Sequence, residues 1–452
     1  MEHENKIRAK AKSKTSKYRL SDSKINTYSK LLNSPPIQIK TPKNEKKSQN
    51  WEKFQINTIS KTHSFHKENN AFRRLSTMQI PNSFLEPITN TNLSLEILKK
   101  EYENYPNGEY SKIKLNTIKS YSYNSYHGLV KKENEDRIFV STSVKKPNNK
   151  KNQNWPKISF FGIFDGHGGE TCSSYLKHNF LNFLIEDKNF PNDIKESILN
   201  TVEKIEKEFN KKYIDILNNN IDLSGSCACI ILIIDNKIYA INIGDSRAII
   251  SYEIGSKIQP LTIDHKPNNP IEYNRIIKIG GKVYIDIDDD DRDYDKLNFI
   301  DKENDFDDYI KENCIFRIYP CHLAVARTIG DLKAKNKNYG GLPGEIISVP
   351  DIYIYDITSN MDFIIIGCDG IYDNLTNEEI IDSAWFAIEN CCKERKYDIN
   401  LISLDACNMI IKNAMDKLSV DNLSVVFIGL DGMEKYIMHQ KNKEIKNELK
   451  KK

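Results

Sequence analysis

The sequence predicts an α+β fold built on antiparallel sheet, and three observations support this. Short runs rich in Ile, Phe and Val predict strands, namely RIFVSTSV, KISFFGIFD, CACIILIIDNKIYAINIGD, RAIISYE, DFIIIGCDG and LSVVFIGLD. Asp235-Asn236-Lys237 is a connection of hairpin length, and direct hairpins join antiparallel strands. Helix and strand patterns occur in separate runs, which favours α+β layering over a doubly wound sheet.

The helices are predicted from apolar spacing. Residues 192–219 place apolar side chains at intervals of three, four or seven, at Ile194, Ile198, Val202, Ile205, Phe209 and Ile216. Residues 377–392 and 402–418 predict two further helices. From about residue 434 onward we expect a basic, frayed helix, so that residues 433–452 form a basic tail.

The charge is distributed unevenly along the 452 residues. The whole chain carries 66 Lys and Arg against 63 Asp and Glu, but residues 1–80 contain 18 basic and 6 acidic side chains. Residues 1–114 are polar and lack apolar periodicity, which predicts a disordered basic arm followed by a compact domain at 115–432. Ser76 follows two arginines and is a candidate phosphorylation site.

Residues 284–312 hold 13 acidic and 4 basic side chains. An EF-hand loop starting at Asp286 would need glycine at its sixth position and glutamate at its twelfth, where the sequence has Asp291 and Leu297. We therefore interpret the stretch as an acidic surface insertion.

The cysteine pattern and the length of the apolar runs indicate the cellular compartment in which we expect the protein. The nine cysteines contain no CxxC pair, which favours a reducing environment. No apolar run approaches the length of a membrane span, and the first residues lack the apolar core of a signal peptide. We expect an intracellular protein, cytoplasmic or nuclear.

Four aspartates each lie at the end of an apolar strand, at Asp165, Asp245, Asp369 and Asp421. Carboxylates near a core need a positive partner, and magnesium or manganese ions take oxygen ligands. Each Asp taken singly also fits a turn, but the four together favour a shared metal site. The carbonyl of Gly166 can approach such an ion closely because glycine has no side chain.

Other polar residues flank these aspartates. His167 is placed to protonate a leaving group, although a lone histidine also fits an ordinary surface position. Glu135 and Asp136 are adjacent carboxylates, with Lys131 four residues before Glu135, and this stretch alone also fits a charged strand start.

Eight segments in order resemble the metal-dependent protein serine/threonine phosphatases of type 2C. They are KKENEDR, FFGIFDGHGG, SGSCACIIL, NIGDSRA, LTIDHKPNNPIEYNRIIKIGGKV, LAVARTIGD, FIIIGCDGIYDNLTNEE and DNLSVV, and they span about residues 117–431, roughly 70% of the chain. The resemblance implies an α-β-β-α sandwich of two antiparallel sheets flanked by helices, with a metal pair in a cleft at one end.

The resemblance also implies roles for these residues. Asp165 resembles the carboxylate that bridges two Mg²⁺ or Mn²⁺ ions, and Gly166 resembles the carbonyl ligand of one of them. Asp369 and Asp421 look like ligands of the other ion. Each of these assignments is an expectation for this chain.

Further positions match by the same resemblance. Glu135 and Asp136 are similar to the acidic pair that binds the cluster directly or through water. Asp245 with Asp369 resembles a weaker third metal site, and His167 resembles the general acid.

Lys131 and the acidic insertion at 284–312 depart from the family pattern, and a third segment matches a part that varies within the family. Lys131, with Lys132 as the alternative alignment, stands where much of the family has a phosphate-holding arginine, and lysine offers a point charge instead of a bidentate fork. Residues 331–350 resemble the family's variable flap. The acidic insertion lies between matched segments, so we expect the core to be intact.

The resemblance implies hydrolysis of phosphoserine and phosphothreonine by a metal-activated bridging hydroxide, without a phosphoenzyme. The expected partners are phosphoprotein substrates of a monomer. One alternative is a pseudophosphatase-like binding scaffold that acts through the basic arm and the acidic insertion. A nuclease is disfavoured, and we expect no nucleic-acid partner, because the arm has few aromatic residues at stacking intervals.

Overall fold

A computed structural model describes residues 108–111, 117–150, 154–215, 220–286, 298–300 and 314–451. Most of the predicted arm at 1–114, including Ser76, lies outside these residues. Most of the acidic insertion at 284–312 also lies outside them. The boundaries predicted for the arm, domain and tail stay predictions.

The secondary structure of the described residues consists of short strands and helices. The strands are β1 Glu109–Tyr110, β2 Ser120–Tyr126, β3 Arg137–Ser141, β4 Ile158–Phe164, β5 Gly166–His167, β6 Ile214–Asp215, β7 Asn220–Ile221, β8 Gly225–Ser226, β9 Ala228–Ile234, β10 Lys237–Ile243, β11 Arg247–Tyr252, β12 Lys257–Pro260, β13 Lys282–Asp286, β14 Asn298–Phe299, β15 Ile315–Tyr319, β16 Ile329–Gly330, β17 Asp351–Asp356, β18 Met361–Gly367 and β19 Leu423–Gly429. The helices are α1 Thr171–Glu186, α2 Ile194–Tyr213, α3 Pro270–Lys278, α4 Leu332–Lys335, α5 Asp369–Tyr372, α6 Asn377–Lys393, α7 Ile399–Asp416 and α8 Asp431–Lys451.

Two antiparallel sheets form the centre of the fold. One has the strand order β1-β2-β19-β18-β11-β12 and the other the order β17-β10-β9-β4-β3. Helices α1 and α2 share a core with the five-stranded sheet, and α6 and α7 share a core with the six-stranded one. This arrangement confirms the predicted α-β-β-α sandwich.

Strand β4 shows why the central strands are apolar throughout. Phe160 and Phe164 belong to the core under the helices, and both rings lie about 6 Å from that of Phe180 in α1. Phe161 points the other way and contacts Tyr121 of the opposite sheet, with ring centroids 5.7 Å apart. Side chains alternate along a strand, so a strand buried on both faces needs an unbroken apolar run.

Local signals set several element boundaries. The turn between β9 and β10 contains Asp235 with a φ of 52°, a conformation that a two-residue hairpin requires. Helix α6 begins with a capping box, in which the Thr376 hydroxyl accepts from the Glu379 amide at 3.2 Å and the Glu379 carboxylate accepts from the Thr376 amide at 2.9 Å.

Helix α2 is shorter than the helix predicted at 192–219. It ends at Tyr213 because the next two residues, in β6, pair with β7. Ile216, predicted to lie on its apolar face, falls outside the described residues. At the other end of the chain, α8 begins at Asp431 and buries Met433 and Ile437.

A smaller sheet of β14, β13 and β15 packs with α3 around its own apolar cluster. Its strand β13 begins before the range predicted as an acidic surface insertion and ends within it. Tyr284 and Ile300, both from that range, are buried. The described parts of the insertion therefore contribute to a core.

A buried ion-pair network joins α3 to the start of β17. Arg327 donates to Glu272 at 2.8 and 2.5 Å, to the Val349 carbonyl at 2.9 Å and to Asp351 at 2.8 Å. Glu272 is only 1% exposed and also contacts Arg275.

Replacing Arg327 with methionine should destabilise the protein by about 3 kcal/mol, because it leaves the buried Glu272 carboxylate with one partner fewer. Urea unfolding would measure the change. The matched control is Lys237→Met, which breaks an exposed ion pair with Asp356 and should change stability little. Equal effects of the two substitutions would contradict the prediction.

Candidate metal centre and its flanking residues

Strand register in the five-stranded sheet places two of the predicted ligands side by side. Arg137, the first residue of β3, lies opposite Phe164, the last residue of β4. Asp136 and Asp165 are the next residues outward on the two strands. They therefore lie at the same end of this sheet.

The six-stranded sheet contributes its acids in the same way. Gly367 at the end of β18 lies opposite Val425 near the start of β19. Asp369 follows the first strand and Asp421 precedes the second, so both lie at one end of the sheet. Asp245 lies in the turn between β10 and β11, which connects the two sheets.

Asp165 and Asp369 meet between the sheets. The Oδ2 atom of Asp165 accepts from the Asp369 amide and from the Ser246 hydroxyl, each at 3.3 Å. The ligand atoms of Asp165, Cys368 and Asp369 lie within 4.8 Å of one another. The Cys368 thiol donates to a backbone carbonyl at 3.2 Å.

The carboxylates repel one another in a buried setting. Burial raises the pKa of Asp165 and of Asp369 well above the usual range, and neighbouring carboxylates raise both further. Burial also raises the pKa of Asp245, and it raises the pKa of Asp136 to about 6. Asp136 is 3% exposed, and neither of its carboxylate oxygens accepts a well-formed hydrogen bond from a described residue, although the nearby Ser424 and Cys368 side chains offset part of the rise in its pKa. These residues fit a divalent cation, which would satisfy the oxygens and offset the repulsion.

Gly166 lies where only glycine fits. A Cβ there would overlap the carbonyl oxygen of Glu135 and lie 2.8 Å from the hydroxyl of Ser173. The Glu135 carboxylate in turn accepts from the Gly169 amide at 2.7 Å. Glu135 therefore holds the loop that follows Asp165, and the ligand roles of Glu135 and Gly166 stay predictions.

Lys131 reaches the cluster through Asp421. Its ammonium lies 3.0 Å from the Asp421 carboxylate, whereas Lys132 is exposed. Burial lowers the pKa of Lys131, but Asp421 outweighs this effect and the net pKa is raised. Lys131, rather than Lys132, is therefore the lysine that contacts Asp421, and its binding of phosphate stays a prediction.

Replacing Lys131 with alanine should raise KM for a phosphopeptide about tenfold, since a charge-assisted hydrogen bond contributes about 1.5–3 kcal/mol. Steady-state kinetics would measure this. Lys131→Arg is the matched variant, which keeps the charge and adds a bidentate fork, so KM should not rise. An unchanged KM in Lys131→Ala would contradict the assignment.

His167 is bound to a carboxylate from a distant part of the chain. Its Nε2 lies 2.9 Å from Oδ2 of Asp331, the first residue of the segment 331–350. Burial lowers the pKa of His167, but Asp331 more than compensates and the net pKa is raised. The imidazole is about one third exposed, so it remains accessible to solvent.

The family model for protein phosphatase 2C matches residues 126–423, about two thirds of the chain. The chain belongs to the protein phosphatase 2C family. The matched range includes every predicted metal ligand and ends at the first residue of β19.

Relatives and solved structures agree with this membership. A probable protein phosphatase 2C of Caenorhabditis elegans is 30% identical over 280 residues, covering 61% of this chain and 67% of that protein. Protein phosphatase 2C homolog 3 of Schizosaccharomyces pombe is 29% identical, covering 60% of this chain and 56% of that protein. The match to the yeast protein thus spans little more than half of its length.

Two solved structures share the fold. A sex-determining protein of C. elegans has a TM-score of 0.51 at 19% identity, covering 73% of this chain and 68% of that one. A phosphatase from Toxoplasma gondii has a TM-score of 0.50 at 19% identity, covering 70% and 94%. At this identity the likeness concerns the fold alone.

In this protein phosphatase 2C chain, Asn422 organises the loop before β3, a role that the sequence did not indicate. Its amide donates to the carbonyls of His127 and Glu133 at 2.9 and 3.1 Å, and its oxygen accepts from the Glu135 amide at 2.9 Å. Its position directly after Asp421 was the one available signal.

Two basic side chains also lie near the cluster. Lys266 pairs with Asp373 at 2.7 Å, and it lowers the pKa of Asp245, which burial raises. Arg247 makes a two-pronged contact with Asp264 at 2.9 and 2.6 Å. Neither pair is evident from the sequence, because each depends on tertiary contacts. No described helix is long and apolar enough to cross a membrane.

Proposed function

We propose that this chain is a metal-dependent protein serine/threonine phosphatase that hydrolyses phosphoserine and phosphothreonine. The observation that supports the proposal most is Asp136, a buried carboxylate that lies beside the pair Asp165 and Asp369 and whose two oxygens accept no well-formed hydrogen bond from a described residue. Such a group is costly unless a cation binds it. Family membership supports the reaction class.

In the proposal, Asp165 would be shared by two Mg²⁺ or Mn²⁺ ions, and Gly166, Asp369 and Asp421 would be further ligands. Glu135 and Asp136 bind directly or through water, and Asp245 with Asp369 forms a weaker third site. When bound, the ions would supply Lewis acidity and make water nucleophilic enough to attack phosphorus directly, so that no phosphoenzyme would be needed.

The chain's own residues supply binding and proton transfer. Lys131 would hold a phosphoryl oxygen through its ammonium. His167 would donate a proton to the departing serine or threonine oxygen, which general acids typically accelerate by about 10²–10⁴-fold. Phosphoprotein substrates, a monomeric state and a cytoplasmic or nuclear location belong to the same proposal.

The test is dephosphorylation of a phosphothreonine peptide by the full chain, with manganese and with EDTA. We expect turnover with manganese, loss of turnover in EDTA and recovery when manganese is restored in excess. A binding scaffold would retain affinity for the peptide without turnover in any of these conditions, and that result would overturn the proposal.

A further inference from the structure

Three two-residue strands from distant parts of the chain form a small sheet that includes His167. Strand β5 pairs with β8, and β8 pairs with β16, so His167, Gly225 and Gly330 lie side by side across the sheet. Asp331 follows Gly330 directly. The sheet thus brings the loop that carries His167 next to the first residue of the segment 331–350.

The side chains of His167 and Asp331 meet over Gly225. The distance from Nε2 of the imidazole to Oδ2 of the carboxylate is 2.9 Å. A Cβ on Gly225 would overlap both of these atoms. The contact therefore requires glycine at this position of β8, and the fold provides the space for the pair.

The backbone also directs Asp331 toward the imidazole. Asp331 has a φ of 50°, directly after Gly330 with a φ of 79°. Its amide donates to the Ser224 carbonyl at 3.0 Å, and the residue is 6% exposed. The left-handed conformation costs a residue with a side chain roughly 1–2 kcal/mol. A residue keeps this backbone conformation only where contacts with its surroundings stabilise it.

We propose that Asp331 is a positioning residue that orients the imidazole of His167 through Nε2 and leaves Nδ1 for the leaving-group oxygen. This rests on the proposed function, in which His167 is the proton donor. A carboxylate on one ring nitrogen fixes the tautomer and the ring plane, so that the other nitrogen performs the chemistry. Asp331 acts only through His167 in this role.

Hydrolysis of a phosphothreonine substrate exchanges one P–O bond for another and moves one proton. A new P–O bond forms to the water oxygen, and the P–O bond to the threonine oxygen breaks. The threonine oxygen keeps the bonding electron pair and takes the proton from Nδ1 of the protonated ring of His167. A proton from solvent restores the ring, and the water proton is released to solvent.

The test compares two leaving groups, because a positioning role affects only the one that needs a proton. Asp331→Ala should lower kcat for a phosphothreonine peptide about 10²-fold, the lower end of the range for general acids. With p-nitrophenyl phosphate, whose leaving group is stable as an anion, kcat should change little. Asp331→Asn keeps an oxygen that can accept from Nε2 and should lie between wild type and Asp331→Ala.

A double variant and a matched control complete the design. In a His167→Ala background, Asp331→Ala should cause no further loss with the peptide. Asp356→Asn changes an exposed carboxylate on β17 and should leave both activities unchanged. Equal losses with both substrates, or additive losses in the double variant, would overturn the proposal.

A further measurement does not depend on any variant folding. In the metal-free wild-type protein at high pH, ¹⁵N NMR should show His167 as the Nε2–H tautomer. The Nδ1–H tautomer would overturn the positioning role. If the wild-type protein were inactive toward both substrates in manganese, the proposed function would be overturned instead. The tautomer of His167 would still show whether Asp331 orients the ring.

Discussion

Replacing Asp165 with asparagine should lower manganese-dependent turnover on the order of 10³-fold, because a catalytic metal ion contributes several kcal/mol to a phosphoryl transfer. Asn has nearly the same shape as Asp, so the hydrogen bonds from the Asp369 amide and the Ser246 hydroxyl can be kept. What is lost is one negative charge at the centre of the cluster. Steady-state kinetics with a phosphothreonine peptide would measure the change.

The same substitution should stabilise the metal-free protein. Burial and four neighbouring carboxylates raise the pKa of Asp165, so its ionised form is unfavourable in the fold without a cation. Thermal unfolding in EDTA should therefore shift upward in Asp165→Asn, while the shift that manganese produces should shrink. These opposite changes separate the loss of a ligand from misfolding. Near-wild-type activity in manganese would disprove the bridging role.

The layered fold was predictable because its signals are local. The run from Cys227 to Asp245 is apolar on both faces with two turn residues in its middle, and it folds as the hairpin of β9 and β10. The end of α2 was not predictable from apolar spacing. It depends on the pairing of β6 with β7, a contact between segments.

The candidate site was predictable to the extent that its residues end strands. Asp165, Asp369 and Asp421 stand out because a carboxylate directly beside an apolar run is unusual, and strand register then brings them to one end of the sandwich. Asp331 gave no such signal. Its contact with His167 depends on Gly225 in a third segment, so the contact is visible only in the tertiary structure.

The stability of the metal-free protein should fall as pH rises from about 4 to about 6, and manganese should reverse this trend. The folded-state pKa of Asp136 is raised to about 6, whereas an unfolded Asp titrates near 3.8. Between these values the folded state binds more protons than the unfolded state, so stability decreases with pH. Asp136 titrates together with its neighbouring carboxylates, so the decrease across this window belongs to the cluster and should amount to on the order of 3 kcal/mol. Asp165 and Asp369, whose pKa values are raised further, should extend the decrease above pH 6.

Manganese should act in the opposite direction because metal ligands must be deprotonated to bind. The rise in melting temperature on adding saturating manganese should therefore grow with pH, and thermal unfolding across the window with EDTA or manganese would measure both trends. Asp136→Asn should flatten the metal-free decrease, whereas Asp356→Asn, which changes an exposed carboxylate, should leave it unchanged. A metal-free protein that became more stable as pH rose through this window would contradict this prediction. The negative charges of the buried carboxylates would then be balanced by something other than a cation. The cluster would then lose its physical reason for binding metal.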